Sequence, residues 1–138
     1  MTSPFVHFVG AQNAVWPAPL AELRGGRKAT HWMWFVFPQF ARDRMTLMSE
    51  RFAIRSRAEA EAYLAHRVVG CRLRQATEAA LASSEADAVA LFGSIDAMKF
   101  QSSMTLFDAV SDDEALFATA LARFYEGTRD ERTLAKLR

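Results

Sequence analysis

The stretch Gly26-Arg27-Lys28-Ala29-Thr30-His31-Trp32-Met33-Trp34-Phe35-Val36-Phe37-Pro38-Gln39 places two tryptophans and two phenylalanines within six residues, between a basic turn and a proline. A continuous apolar run of this length is either a short buried helix capped by Thr30 or a buried strand, and periodicity does not separate the two. A strand needs partners, because isolated strands and even isolated hairpins are unstable in water. Working outward, the chain offers none. Alanine occurs 25 times and leucine 12 times, against ten valines and isoleucines together and ten glycines and prolines together. That balance favours helix over strand and turn. The tryptophan segment is therefore assigned to a helix, and the fold class to all-α.

The punctuation on either side agrees. Upstream, Phe5, Phe8, Val9 and Gln12 lie at helical spacing, Pro17 and Pro19 interrupt, and Leu20 and Leu23 begin a short amphipathic turn that Gly25-Gly26 ends. Downstream, Ser56-Arg57-Ala58-Glu59 is a capping box that starts a helix near Arg57. His66-Arg67 marks a junction, after which Val69, Leu73, Ala76, Ala80 and Leu81 form an apolar stripe to about Ala82. Ser84 is expected to cap a short helix closed by Gly93, and Ser94 to cap the next one. The apolar side of that next helix carries Ile95, Met98, Met104, Leu106 and Phe107 through about Val110. Ser111-Asp112-Asp113-Glu114 reads as a second capping box before the stripe Leu116, Phe117, Ala120, Leu121 and Phe124, which Gly127 ends. Asp130 is the expected cap of a last helix carrying Leu134 and Leu137. With no internal repeat, low-complexity segment or linker, residues 1–138 are expected to form one domain of about six to eight short helices.

Composition excludes several classes. With 51% apolar and 24% charged residues, the chain is neither disordered nor fibrous. A net charge of +1 lacks the bulk positive charge of a nucleic-acid coat and argues against high-affinity nucleic-acid binding. That charge is unevenly spread: residues 24–74 carry eleven basic and four acidic side chains, residues 75–138 six and eleven. The single cysteine, Cys71, makes no internal disulfide, and neither a leader nor a long charge-free apolar run is seen, so the expected setting is the cytoplasm, with no membrane partner. Cys71 falls near a predicted helix start beside Arg72 and Arg74, which favours a thiolate; the alternative is a small packed side chain.

Gly26-Arg27-Lys28, His31-Trp32-Met33-Trp34-Phe35 and Phe37-Pro38-Gln39 together resemble the signature of the bacterial domain-of-unknown-function family 1810, small uncharacterised multihelical proteins. The resemblance covers nearly the whole chain. It takes in Phe52-Ala53-Ile54, Glu59-Ala60 with Tyr63-Leu64, Gly70 with Arg72-Leu73, Phe92-Gly93 with Asp96 and Lys99, Ser102 through Phe107, and Gly127 with Asp130, Thr133 and Leu134. It implies an all-α fold of one domain and carries no established activity. The chain departs from the family pattern at Phe40-Ala41-Arg42-Asp43-Arg44, where a glycine-rich turn is usual, at Arg67, where the family has proline, and at Phe52, where it has tyrosine.

Little in the sequence announces chemistry. His7, His31 and His66 are scattered and no metal-ligand spacing occurs, so no metal is expected. Glycine-rich phosphate loops and the nucleophile elbow are missing, and no cofactor is implied. One constellation stands out. On the helix starting at Ser94, Asp96, Lys99 and Ser103 are spaced i, i+3, i+7 with Ser102 beside them, so that they share one polar flank. The flank either lines a pocket or is a solvated i,i+3 ion pair worth ~0.3–0.5 kcal/mol. A second set, Arg27, Lys28, His31 and Gln39, brackets the tryptophans, and basic groups beside aromatic faces suit stacking of a planar anionic ligand. The alternative for Trp32 and Trp34 is plain core, since aromatic residues dominate buried cores. His31, following the presumed cap, would occupy a first helical turn, where the helix dipole disfavours imidazolium, and a neutral ring could bridge Asp96 and a ligand.

Two functional classes follow. In one, the tryptophan segment and the polar flank form a pocket for a nucleotide-like metabolite. Trp34 stacks it, Arg27 or Lys28 meets its anionic part, Gln39 and Ser103 orient it, and, were it hydrolysed or transferred, Asp96 would act as general base with Lys99 beside it. In the other, a non-enzymatic protein uses the arginine-rich face between Arg24 and Arg74 to bind an acidic protein or nucleic acid. A mixed polar-aromatic cavity favours the first, and a flat arginine-lined face the second. No sequence pattern specifies an oligomeric state.

Overall fold

In the computed structural model, which describes residues 4–138, ten helices enclose one apolar core. They are α1 (Val6–Val15), α2 (Ala18–Arg24), α3 (Met33–Val36), α4 (Leu47–Arg51), α5 (Arg57–Ala65), α6 (Val69–Leu81), α7 (Ala88–Phe92), α8 (Ser94–Val110), α9 (Leu116–Tyr125) and α10 (Glu131–Leu137). The all-α class holds among these residues, with one isolated parallel bridge, Phe40 to Ile54. The helix count exceeds the expected six to eight because single-turn pieces are added to seven longer helices. Of these, α4 was missed: Thr46 caps it by accepting from the Ser49 N–H at 3.1 Å.

Seventeen residues long, α8 is the centre of the molecule and packs against α5, α7, α9 and α10. Its inner face is aromatic. Phe100 stacks on Phe92 at 4.5 Å between ring centroids and meets Phe37 edge-on at 4.8 Å. Phe107 touches Tyr63 of α5, whose ring in turn meets Phe8 of α1. On the opposite side of the core α6 lies between α2, α5 and α9. Gly70 is required where α6 leaves α5, since a Cβ there would sit 2.4 Å from the Leu64 carbonyl oxygen.

Several helix starts differ from expectation, each because a polar side chain is used elsewhere. Thr30 does not cap the tryptophan helix, which begins only at Met33, because its hydroxyl donates to Glu22 Oε2 at 2.6 Å. Asp87, not Ser84, caps α7, accepting from the Val89 N–H at 3.0 Å. The preceding serines lie in a turn in which Ser83 Oγ accepts from the Glu85 N–H. Helix α8 follows Gly93, at φ +88°, with no side-chain cap, so Ser94 is its first residue rather than its cap. The expected box at Ser111 does not form either: Ser111 ends α8, its hydroxyl bonds back to Asp108 O, and Glu114 pairs with Arg74 at 2.7 Å. The Ser56 cap forms as read, and His66 closes α5 while its Nδ1 accepts from the N–H groups of Val68 and Val69. Ile95 and Met98, assigned to the apolar side of α8, are 71% and 61% exposed, and Cys71 is exposed rather than packed.

Candidate functional site

The tryptophan segment is held by a residue the sequence reading passed over. Glu22, on α2, accepts from the Ala29 and Thr30 backbone N–H groups at 2.7 and 2.9 Å, from the Thr30 hydroxyl, and from the Trp32 indole Nε1–H at 3.0 Å. Burial opposes ionisation of this carboxyl, but the hydrogen bonds from Thr30, Ala29 and Trp32 outweigh it and hold the group below its ordinary range. The signal available in sequence was an acidic residue at the end of a short helix, facing a turn rich in unpaired N–H groups.

From there the chain brings cations to the first turn of α8. Lys28, whose side chain is only 7% exposed, donates to Thr30 O at 2.6 Å, lies 2.9 Å from Asp96 Oδ2, and covers the Trp32 ring at 5.1 Å. Lys99 lies 3.6 Å from the other carboxylate oxygen of Asp96, with its ammonium 5.4 Å above the Trp34 ring. The result is a ladder of alternating charge and ring: Trp32, Lys28, Asp96, Lys99, Trp34. Neither the solvated ion pair nor an open stacking face describes it, since a cation already sits over each indole.

Lys99 also borders a cleft of about 770 Å³. One wall is the segment after α3, with Gln39, Phe40, Arg42 and Arg44. The floor is α8, where exposed Ile95 and Met98 accompany Lys99 and Ser102. The third side is α10, with Arg132, Thr133 and Lys136. Of the two carboxylates in the lining, Asp130 accepts from Ser102 Oγ at 2.8 Å and from Thr133 Oγ1 at 2.6 Å, and fully exposed Asp43 lies 3.9 Å from Lys136. Arg42, Arg44 and Arg132 have no carboxylate within 4.0 Å among the described residues.

The sequence-derived site residues thus divide. Gln39 and Lys99 line the cleft, and Asp96 fixes Lys99 from behind. Lys28 and Trp34 belong to the ladder and do not line the cleft. Arg27 is exposed on the turn after α2, outside the lining. His31 is exposed and lies before α3, not in its first turn, because Glu22 holds the preceding residues in a non-helical loop; the helix-dipole argument for this residue fails with that placement. Ser103 faces the core, fully buried, its hydroxyl without a partner among the described residues. Ser103 shares the Asp96 side of α8, as the i+7 spacing implies, but that side does not face the cleft, which lies over the Ile95, Met98 and Ser102 stripe. Unforeseen contributions come from Phe40, Arg42, Arg44 and Arg132. The signal in the sequence is the pair of arginines flanking Asp43, two residues after Phe40. No group of three or more potential metal ligands occurs among the described residues, and no helix there is long and apolar enough to cross a membrane.

Comparison with known proteins places the chain. The solved structure of the conserved hypothetical protein Rv1873 from Mycobacterium tuberculosis is similar over 98% of both chains, with a TM-score of 0.93 and 41% sequence identity. A search of curated proteins gave no match. A family model described as a protein of unknown function, DUF1810, matches residues 3–137. With almost its whole length covered, this chain belongs to the DUF1810 family.

Proposed function

We propose that the cleft between the Phe40–Arg44 segment, α8 and α10 binds a small anionic molecule with a planar or apolar portion, of the nucleotide-like class, and that the protein works as a cytoplasmic binder of such a metabolite. The observation that carries this reading is that Arg42, Arg44 and Arg132, none with a carboxylate within 4.0 Å among the described residues, line a concavity that also holds Phe40, Ile95 and Met98. Pockets for small molecules combine apolar surface with a few placed polar groups in this way. The concavity favours a small ligand over the flat arginine-lined face that a macromolecular partner would use. Asp96 has an ammonium on each oxygen and lies behind the lining, so it serves to position Lys99, and binding rather than proton transfer is what the arrangement suits.

The test is a thermal-shift screen against nucleotides, nucleosides and common metabolites. A ligand at a hundred times its Kd stabilises the folded state by ~2.7 kcal/mol, enough to be seen. A nucleotide should raise the melting temperature of the wild-type protein, and Lys99→Ala should reduce that rise. Absence of any shift across the screen, or a shift untouched by both Lys99→Ala and Arg42→Ala, would refute the assignment.

A further inference from the structure

The three unpaired arginines reach the cleft from two elements. Arg42 and Arg44 stand two residues apart on a segment anchored to the fold by the Phe40 to Ile54 bridge, with Ala41 N–H donating to Ile54 O at 2.8 Å and Ile54 N–H to Gln39 O at 2.9 Å. Arg132 comes from α10, where Asp130, held by the Ser102 and Thr133 hydroxyls, ties the start of the helix to α8. All three side chains are exposed and line the same cleft as Asp43, Asp130 and Lys136. Asp130 accepts from two hydroxyls and fully exposed Asp43 lies 3.9 Å from Lys136, and the five cations of the lining outnumber these two carboxylates.

Resting on the cleft's being the binding site, we infer that the space between Arg42 and Arg44 on one wall and Arg132 on α10 is a subsite for a doubly charged phosphoryl group, the rest of the ligand lying over Phe40, Ile95 and Met98. Each guanidinium offers a planar fork of donors matched to paired oxygens. A carboxylate carries one charge and two oxygens, which satisfy one fork and leave two arginines uncompensated. A phosphomonoester carries three terminal oxygens and between about 1.5 and 2 negative charges at neutral pH, which engages all three. Lys99, held by Asp96 at the Trp34 edge, then meets a second polar group of the ligand rather than the phosphoryl group.

The probe is inorganic phosphate, titrated into the wild-type protein and into the Arg42→Gln/Arg132→Gln double variant at constant ionic strength, with acetate as the monoanionic control and adenosine as an uncharged one. Stability is followed by thermal shift and binding by calorimetry. Phosphate should bind saturably and acetate far more weakly. The double variant should lose at least about tenfold in phosphate affinity, the loss expected on removing charge-assisted hydrogen bonds. Its melting temperature without phosphate should stay at the wild-type value, because neither arginine has a partner in the fold to lose. Equal binding of phosphate and acetate, or full phosphate affinity in the double variant, overturns the subsite. If phosphate fails while adenosine still raises the melting temperature in a Lys99-dependent way, the subsite falls and the cleft assignment stands. If neither binds and no nucleotide raises the melting temperature, both fall.

Discussion

Lys28 Nζ lies 2.9 Å from Asp96 Oδ2, tying the loop before α3 to the first turn of α8 across 68 positions of sequence. The same loop is tied to α7 by the Lys28 N–H, which donates to Leu91 O at 2.7 Å. With its side chain 7% exposed, Lys28 relies on Asp96 for much of its compensation, and removing a carboxylate from such a pair leaves an uncompensated charge. Asp96→Ala is therefore expected to destabilise the protein by roughly 1–3 kcal/mol, discounted from the fully buried case because Asp96 retains some exposure. Urea denaturation of the two single variants and the Lys28→Met/Asp96→Ala double variant should give a coupling energy of about 1 kcal/mol or more. Strict additivity would show that the contact contributes nothing.

The carboxyl of Glu22 is the second structural staple. Glu22→Ala leaves two backbone N–H groups, a hydroxyl and an indole without their acceptor, and should cost ~2–3 kcal/mol. Because the folded protein holds this carboxyl below its ordinary value of 4.5, the group's stabilisation is present above that value and is lost as pH falls through the folded one. Melting curves of wild type and Glu22→Gln should accordingly converge in acid and diverge toward neutral pH. Parallel curves throughout would contradict the assignment.

Gly70 marks the tightest helix junction. A Cβ there meets the Leu64 carbonyl oxygen at 2.4 Å, a backbone atom that cannot rotate away. Gly70→Ala should cost ~1–3 kcal/mol despite its better helix propensity, measured by chemical denaturation. A neutral or stabilising effect would mean that α5 and α6 separate more freely than the packing indicates.

Both tyrosines of the chain resist ionisation. Burial pushes Tyr63 above its usual range, against the smaller effects of the Gln12 hydrogen bond and Arg72, and burial does the same to Tyr125, whose hydroxyl donates to Ala97 O. The unfolded chain loses these protons near pH 10 and the folded chain does not, so stability falls as pH rises beyond that point. Tyrosinate absorbance should therefore appear together with loss of helical circular dichroism, not before it. Ionisation of either ring in the folded protein would contradict its burial.

The sequence carried the fold class and most helices because apolar periodicity is local: the stripes at Val69–Leu81 and Leu116–Phe124 need only their own spacing to be seen. Helix starts were less readable because a cap depends on which partner a polar side chain chooses. Thr30, Ser84 and Ser111 all had the right chemistry, and tertiary or neighbouring groups decided otherwise. The site was half visible. Asp96 and Lys99 share a flank of one helix, so their pairing follows from spacing, whereas the convergence of Arg42 and Arg132 depends on how α10 folds back on α8, which no local pattern encodes. The position of Lys99 over the Trp34 ring, which separates a stacking face from plain core, is not apparent from spacing alone.

Ligand binding in the cleft is tested most directly by titrating isotopically labelled protein with a nucleoside monophosphate, followed residue by residue in amide NMR spectra. Binding in the cleft predicts saturable shifts confined to Gln39–Arg44, Ile95–Ser102 and Arg132–Lys136, with Arg27 and His31 unmoved. Spectra unchanged at saturating ligand, or shifts centred on the turn at Arg27 and His31 instead, would contradict it.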